Sequence, residues 1–559
     1  MITVRDDEMR VETRTLSAVL RRGWLTSLMD KASGEEMIRP FDPAEEAAVH
    51  LVYRGGESVR LDGQLTGEVR ARRLNDHLAE LRFHSWDGDG VMLVSEDAAT
   101  GDLVLEPSGY STRPGVLACR WTLRGVREGI ELVAPLWQGM KVALDDPINR
   151  GARRRWPMHW EAGLAILQGA DGGLWVHCRD DGYRYKALTF GMKGDPRALS
   201  FDTEAYGPVD DNLGAGGLAW RANVYRGDWQ VPARQYRDWL WQAYGLEAAA
   251  ARRPEWLHAL TMAVSWCPGE PELLDAIASK VDPRRVLIHY PRWRTDGYDQ
   301  NYPTYTPSEE ARAFVAKARQ MGFHVAPHFN SLEIDPSNAA HALLGDFKYR
   351  DVESGRAHGW AHGDGRVLSV PESGMARATN RDRNVMVKIH PGLAMWRSVL
   401  GEAIQRAAQQ LSLEAAFIDV TLCTGNLRNC LVEGMTSTEG IKRLIEHVGR
   451  LNGGLAVGGE GLNEITMQGL SFAQAHLYGY SDRPEGIERT GGCALNNFLF
   501  GDLCRTIGYS RLSGKTEEEA LRMRLHEEHG AIPTVTVRSA EEILDPNPAV
   551  QRVLEMAAG

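Results

Sequence analysis

From about residue 256 onward the chain alternates repeatedly between a short apolar run and a longer amphipathic one, and this alternation leaves few folds open to it. "LHALTMAVSW" reads as a strand and "EPELLDAIASK" as a helix. "RRVLIHYPRW" is a strand, and "TPSEEARAFVAKARQMG" is a helix with Pro307 near its start and Gly322 after its end. "FHVAPHFN" and "RNVMVKIHPG" read as strands, the second followed by the helix "LAMWRSVLGEAIQRAAQQL". "AAFIDVTL" is a strand, "TEGIKRLIEHVGRLNG" a helix and "GLAVGGEG" a strand. Such alternation implies parallel strands joined by right-handed crossovers. At least six units over about 280 residues suit a closed eight-fold barrel better than an open sheet. "GAGGLAW" (214–220) has neither the spacing nor the following helix of a dinucleotide-binding turn.

The first 230 residues have a different texture. "MRVETRTLSAVLRRGWLTSLMDKASGEE" alternates apolar and polar residues and turns at "RRG" and "DKASGEE"; short runs such as "VMLVSED", "GIELVAPLW" and "LAWRANVYRG" follow, separated by Gly and Asp turns. Many short strands with this turn chemistry predict a sandwich. "VPARQYRDWLWQAYG" then shows helical spacing, with Tyr236, Leu240 and Tyr244 on one face, and "AAAARRPEW" reads as a boundary. The expected chain is multidomain, β and α/β: a β-sandwich over 1–229, a bridging helix and linker over 230–255, and a (β/α)8 TIM-type barrel with C-terminal helical and strand elements over 256–559.

A length of 559 residues exceeds one ordinary core, in keeping with that division. The net charge of −11 disfavours nucleic acid, which needs a basic face. Seven scattered cysteines without a C-x-x-C pair predict reduced thiols rather than zinc or a disulfide framework, and Cys423 and Cys430 read as ordinary thiols. The charged start "MITVRDDEMRVETR" shows no secretory apolar region and no run approaches a membrane span, so a cytoplasmic location is expected.

In a parallel barrel the chemistry gathers at the C-terminal ends of the strands. That rule selects Trp266, Tyr290, Trp293, His328, Asn330, Lys388, His390, Asp419 and Glu460. Acids, aromatics and amide or imidazole groups together suit a sugar, whose C–H face packs on a ring while polar groups hold its hydroxyls. Glycoside hydrolysis needs two carboxyl groups with different tasks. Asp419 and Glu460 end consecutive strands and are expected to be neighbours; Glu464, one helical turn on, competes with Glu460. The loop "RWRTDGYDQNYPTY" is expected to line the pocket through Trp293 and Tyr302, with Asp299 a further candidate and Asp296 a turn former. In "HVAPH", His328 is assigned to substrate and His324 to structure; no third ligand with convincing spacing accompanies them, so no metal is expected.

"GWLTSLMDKASGEE", "YRGDWQVPARQYRDWLW" and "VKIHPGLAMWRSVLGEAIQRAAQQLSLEAAFIDV" resemble the retaining α-glycosidases that join a mutarotase-like β-sandwich to a catalytic barrel. The similarity is greatest to the endo-α-N-acetylgalactosaminidase-like enzymes, with α-galactosidases more distant, and extends over nearly the whole plan of the chain. It implies a nucleophilic Asp ending a "(F/Y)-(I/V)-D-V" strand, which is Asp419, and an acid/base Glu ending a following strand, which is Glu460. The sequence is not expected to include the extra carbohydrate-binding and C-terminal β domains of the large endo-enzymes. The resulting expectation is a retaining hydrolase of a galacto- or gluco-configured α-glycoside that needs no cofactor. Its nucleophile should be held ionised by hydrogen bonds or a cation such as Lys388, and Glu460 should start protonated. Its partner is a carbohydrate substrate, not nucleic acid or membrane, with homo-oligomerisation left open. The rival readings are a metal-assisted enzyme built on His328 and His390, and a non-catalytic carbohydrate-binding protein.

Overall fold

The computed structural model describes residues 1–5, 8–41, 43, 48–56, 58–60, 69–85, 88–145, 151, 153–192, 195–361, 367–370, 385–451, 453–475, 491–508 and 517–558. The chain divides into two compact units; the first begins at Met1 and runs to Trp239, and the second takes up at Leu240.

The first unit is a β-sandwich. A six-stranded antiparallel sheet has the order Arg153–Arg155, Lys186–Met192, Asp195–Glu204, Val116–Leu123, Val49–Tyr53, Ser58–Arg60. A longer antiparallel sheet includes Gly172–Cys178, Trp220–Arg226, Leu103–Ser111 and Gly88–Glu96 as successive neighbours. Their inner faces meet through aromatic rings: Phe201 of the first sheet lies 5.1 Å from Trp220 of the second and stacks on Trp121 at 5.6 Å. All three side chains are fully buried, and burial of such rings is the main force holding sheet to sheet.

The second unit is an eight-stranded parallel barrel. Its strands are β1 Met262–Val264, β2 Val286–Tyr290, β3 His324–Asn330, β4 Ala415–Asp419, β5 Ala456–Glu460, β6 Phe472–Gln474, β7 Arg505–Ile507 and β8 Thr534–Val535. Each pairs with the next in sequence from β1 to β7, and β8 pairs with β1. A parallel bridge from Ile507 to Ile532 closes the ring between β7 and β8. Side-chain parity sorts the interior: Ala263, Leu287, Ala326, Phe417 and Phe472 face one another inside. Gly458 makes room for this layer, since a Cβ there would sit 2.1 Å from the Phe472 ring.

Helices cover the outside. After β2, the helix Glu309–Met321 is capped by Ser308, whose hydroxyl accepts the Ala311 N–H at 3.1 Å, and ends at Gly322 with φ 99°. After β4, Ser437–Leu451 buries Ile441, Leu444, Ile445 and Val448. Among the described residues no helix is long and apolar enough to cross a membrane.

One strand departs from expectation. "VMVKIH" does not belong to the barrel: Val385–Lys388 pairs antiparallel with Glu333–Ile334 and with Ala357–Ala361 in a small sheet inserted between β3 and its helix, Ala394–Leu411. Its apolar run is buried on both faces like a barrel strand, so composition does not distinguish the two.

Candidate active site

Ile418 pairs with Gly459, so the next residues, Asp419 and Glu460, stand side by side at the carboxyl rim. Asp419 shares the parity of Phe417, which faces the barrel interior, and keeps 18% of its side chain exposed. Thr421 ties the two strand ends together: its Oγ1 accepts the Glu460 N–H at 2.9 Å and donates to the Glu460 carbonyl at 2.9 Å. Val420 has φ 66°, a left-handed conformation costly for a β-branched residue. That turn directs its N–H to Glu460 Oε2, 3.1 Å away. On the other side, Ser331 N–H and Oγ donate to the Asp419 carbonyl at 3.0 and 2.7 Å.

Two buried histidines line the mouth beside Asp419. His328 on β3 places Nε2 3.6 Å from Asp419 Oδ2 and 3.5 Å from the Tyr298 hydroxyl. Its Nδ1 meets Nε2 of His289, on β2, at 3.1 Å. Burial favours the neutral form of both imidazoles: it brings His289 down to about 3, and burial first, then the neighbouring His289 ring and the Arg294 guanidinium, keep His328 well below its usual value. The part-exposed rings of Trp266 and Tyr298 lie 5.5 Å apart and flank His328 at 6.1 and 5.2 Å.

A second acidic group closes the far side. Asn330 Oδ1 accepts the Leu332 and Glu333 N–H groups, and its Nδ2 donates to Glu333 Oε2 at 3.0 Å. Lys388 Nζ donates to Glu333 Oε1 at 2.6 Å. Burial alone would lower the Lys388 ammonium, but the Glu333 carboxylate outweighs it and holds the group above its ordinary value. Asp299, in the loop after β2 with φ 55°, accepts the Tyr302 hydroxyl at 3.4 Å. Burial, and then the Glu333 charge, push its carboxyl up to about 7 against the pull of Arg294. Asp419 is likewise held well above the usual carboxylate range by burial, then by Glu460, Glu333 and Asp299. The expectation that hydrogen bonds or Lys388 keep Asp419 low is therefore corrected: the nearest base to Lys388 is Glu333, and the acids around Asp419 dominate its field.

The structure brings together Trp266, Asp299, His328, Asn330, Lys388, Asp419 and Glu460 of the expected set. It separates others from the mouth. Tyr290 points outward, 4.9 Å from Phe314 of the covering helix, because it has the opposite parity to His289. Trp293 is fully buried, with its indole N–H on the His328 carbonyl at 2.8 Å, and Tyr302 is fully buried under the Arg294 guanidinium at 4.4 Å. These two rings support the loop from behind rather than facing a ligand. His390 is also buried: its Nδ1 accepts the Gly392 N–H at 3.0 Å, leaving Nε2 to donate to the Cys430 carbonyl at 3.2 Å, so it pins two loops. Glu464 lies beyond the β5 end, 1% exposed. His324 sits at the opposite end of β3, hydrogen-bonded to Glu414 at 2.7 Å. Sequence reasoning missed His289, Tyr298, Glu333 and Gln474. The strand parity that places Leu287 inside would have found His289; Glu333, three residues past β3, carried no periodic signal. Among the described residues no three His, Cys, Asp or Glu side chains are grouped to hold a metal ion.

Residues 218–436 match the family model of a domain of unknown function, DUF6259. No curated protein matches the sequence. The fold is that of α-glycosidases. The ligand-free α-N-acetylgalactosaminidase NagBb from Bifidobacterium bifidum superposes with a TM-score of 0.66 at 13% identity, over 100% of this chain and 92% of that one. The same enzyme in complex with GalNAc gives 0.66, also at 13% identity and with the same coverage. A GH31 family sulfoquinovosidase from E. rectale, in complex with an aza-sugar inhibitor, gives 0.54 at 11% identity, over 100% of this chain and 82% of that one.

Proposed function

We propose that this protein is a glycoside hydrolase that cleaves an α-glycosidic bond with retention, through a covalent glycosyl-enzyme on Asp419. The observation that carries the reading is the pairing of Asp419 and Glu460 on adjacent strands at the carboxyl rim. Neighbouring strands lie about 4.8 Å apart, which suits the gap of roughly 5 Å between carboxyl groups of a retaining enzyme. The α-glycosidase fold supports it.

In the first step Asp419 attacks the anomeric carbon while Glu460 gives its proton to the departing glycosidic oxygen. In the second, Glu460 takes a proton from water, whose oxygen displaces Asp419 from the same carbon and restores both carboxyl groups. Trp266 and Tyr298 offer aromatic faces to the C–H side of the sugar. Asp299 and the Glu333–Lys388 pair are the hydroxyl-binding groups of a galacto- or gluco-configured ring, and the fully buried Asn330 amide holds Glu333 in place for them. The test is a screen of aryl α-glycosides, with NMR of the first-formed anomer. Release of the α-anomer by the wild type, lost in Asp419→Asn, is the expected result; release of the β-anomer, or turnover that survives the substitution, overturns the mechanism.

A further inference from the structure

Beside Asp419 the two histidines form a chain whose polarity is decided at one end by a group that cannot change role. The backbone N–H of Trp266 points at His289 Nδ1, 3.3 Å away. A backbone N–H only donates, so His289 Nδ1 must present a lone pair. Side-chain amides can be assigned either way round and imidazole tautomers are inferred from their partners, but a peptide nitrogen offers no such choice. Gln474 Nε2 adds a second donor at 3.2 Å, and that same nitrogen donates to Ser265 Oγ at 3.2 Å. With its lone pair on Nδ1, neutral His289 carries its hydrogen on Nε2. That hydrogen points to His328 Nδ1, with the two nitrogens 3.1 Å apart, so His328 Nδ1 is the acceptor and its own hydrogen is on Nε2. His328 Nε2 is the atom that faces Asp419 Oδ2 at 3.6 Å and the Tyr298 oxygen at 3.5 Å.

From this geometry we infer that the Trp266 backbone amide, relayed through His289, locks His328 as a neutral N–H donor aimed at Asp419. His289 and His328 are thus positioning residues for the attacking carboxylate, an inference that rests, for its role in catalysis, on the reading of Asp419 as the nucleophile. Trp266 has φ 57°, a left-handed conformation that a bulky residue adopts at a cost, and this turn directs its N–H across to β2. The distance of 3.6 Å is longer than a hydrogen bond; contacts of this kind often tighten only when substrate closes the site.

A neutral donor suits the chemistry better than a cation. When Asp419 forms an ester with the sugar its charge is consumed, and an imidazolium beside it would be left buried and unpaired, which is costly. A neutral N–H orients the carboxylate before attack and leaves no stranded charge afterwards. Around the pair, the charged or titratable groups are Asp419, Arg294 and the Tyr298 hydroxyl at His328, while His289 is enclosed by Ser265, Gln474 and the rings of Trp266 and Phe417. The lowered proton affinities of both rings agree with neutrality.

The test is long-range 1H–15N spectroscopy of the intact protein labelled in its histidine rings, with signals assigned by His289→Gln and His328→Gln. Both rings are expected to show a protonated Nε2 and an unprotonated Nδ1, unchanged from about pH 5 to pH 8. A hydrogen on either Nδ1, or an imidazolium within that range, overturns the proposal. In turnover assays His289→Leu should lower kcat by up to about 100-fold, as small misplacements of a reacting group do, with little change in KM. His289→Gln, which restores an acceptor and a donor, should recover part of it. Equal losses in both variants overturn the positioning role. Correct tautomers in a protein that cleaves no glycoside would sustain the relay and reject the assignment of Asp419; wrong tautomers reject the relay whatever the activity.

Discussion

The Glu460 carboxyl group accepts the backbone N–H of Val420 at 3.1 Å, so the residue that directly follows Asp419 holds the acid on the neighbouring strand. The two carboxyl groups are fixed relative to each other by main chain on both sides, and the strained φ of 66° at Val420 is what turns that N–H toward β5.

This pairing separates the two roles experimentally. Asp419→Gly with added azide should give a glycosyl azide of inverted configuration, because azide enters the space of the lost nucleophile. Glu460→Ala should give the retained azide and should spare substrates with good leaving groups in the first step. Removing Asp419 should cost several orders of magnitude in rate, as for groups that act as a unit. Product configuration by NMR decides between the roles, and the same anomer from both variants would refute them.

Asp299 and Asp419 both have raised carboxyl groups, which sets a sign for stability. A folded-state value above the unfolded one means that ionisation costs more in the folded chain. As pH rises past the ordinary 3.8, the unfolded chain releases its proton first and the fold loses stability, until the folded group also ionises. For Asp299 that window runs from 3.8 to about 7. Asp299→Asn should therefore gain in Tm relative to wild type as pH rises from about 4, with the gain levelling off above about 7, and Asp419→Asn should shift in the same direction. A Tm difference that stays flat or shrinks over this range, measured by calorimetry, would contradict the electrostatic account.

Lys388 and Glu333 are each 4% exposed and 2.6 Å apart. Removing one member leaves a buried charge without its partner, so Lys388→Met should destabilise the fold by about 3–5 kcal/mol. Lys388→Met combined with Glu333→Gln should cost less than the single change. A double-mutant cycle in urea measures the difference, and additive effects would mean that the two groups are not coupled.

Two tryptophans should behave oppositely. Trp293 is fully buried and its indole N–H supports the His328 carbonyl; Trp293→Ala should cost about 3–5 kcal/mol in stability. Trp266 is part-exposed at the mouth, and Trp266→Ala should raise KM with a much smaller loss of Tm. Denaturation midpoints and substrate titrations on both variants check this, and a reversal of the pattern would return Trp293 to the pocket wall.

How much of this was legible in one dimension depends on length and periodicity. β2 to β5 announced themselves as apolar runs, β2 and β4 each with an amphipathic helix after it, and the strand-end rule then reached Asp419, Glu460, His328 and Asn330 without coordinates. β6, β7 and β8 are three, three and two residues long, too short to carry a period, and they are strands only because the closed ring supplies their partners. Parity was the other missing piece. Which of His289 and Tyr290 faces inward depends on the phase of β2 relative to its neighbours, and a shift of one residue exchanges the two faces. Lys388 looked like a barrel residue because a buried antiparallel strand has the same composition as a buried parallel one. The chain order of apolar and amphipathic runs thus determined the architecture and the pair of acids at its rim. Only tertiary structure decided that Glu333 claims Lys388, that Trp293 lies behind the site, and that a backbone amide at Trp266 fixes the hydrogens beside Asp419, because each is a contact between segments far apart in sequence with no local pattern to record it.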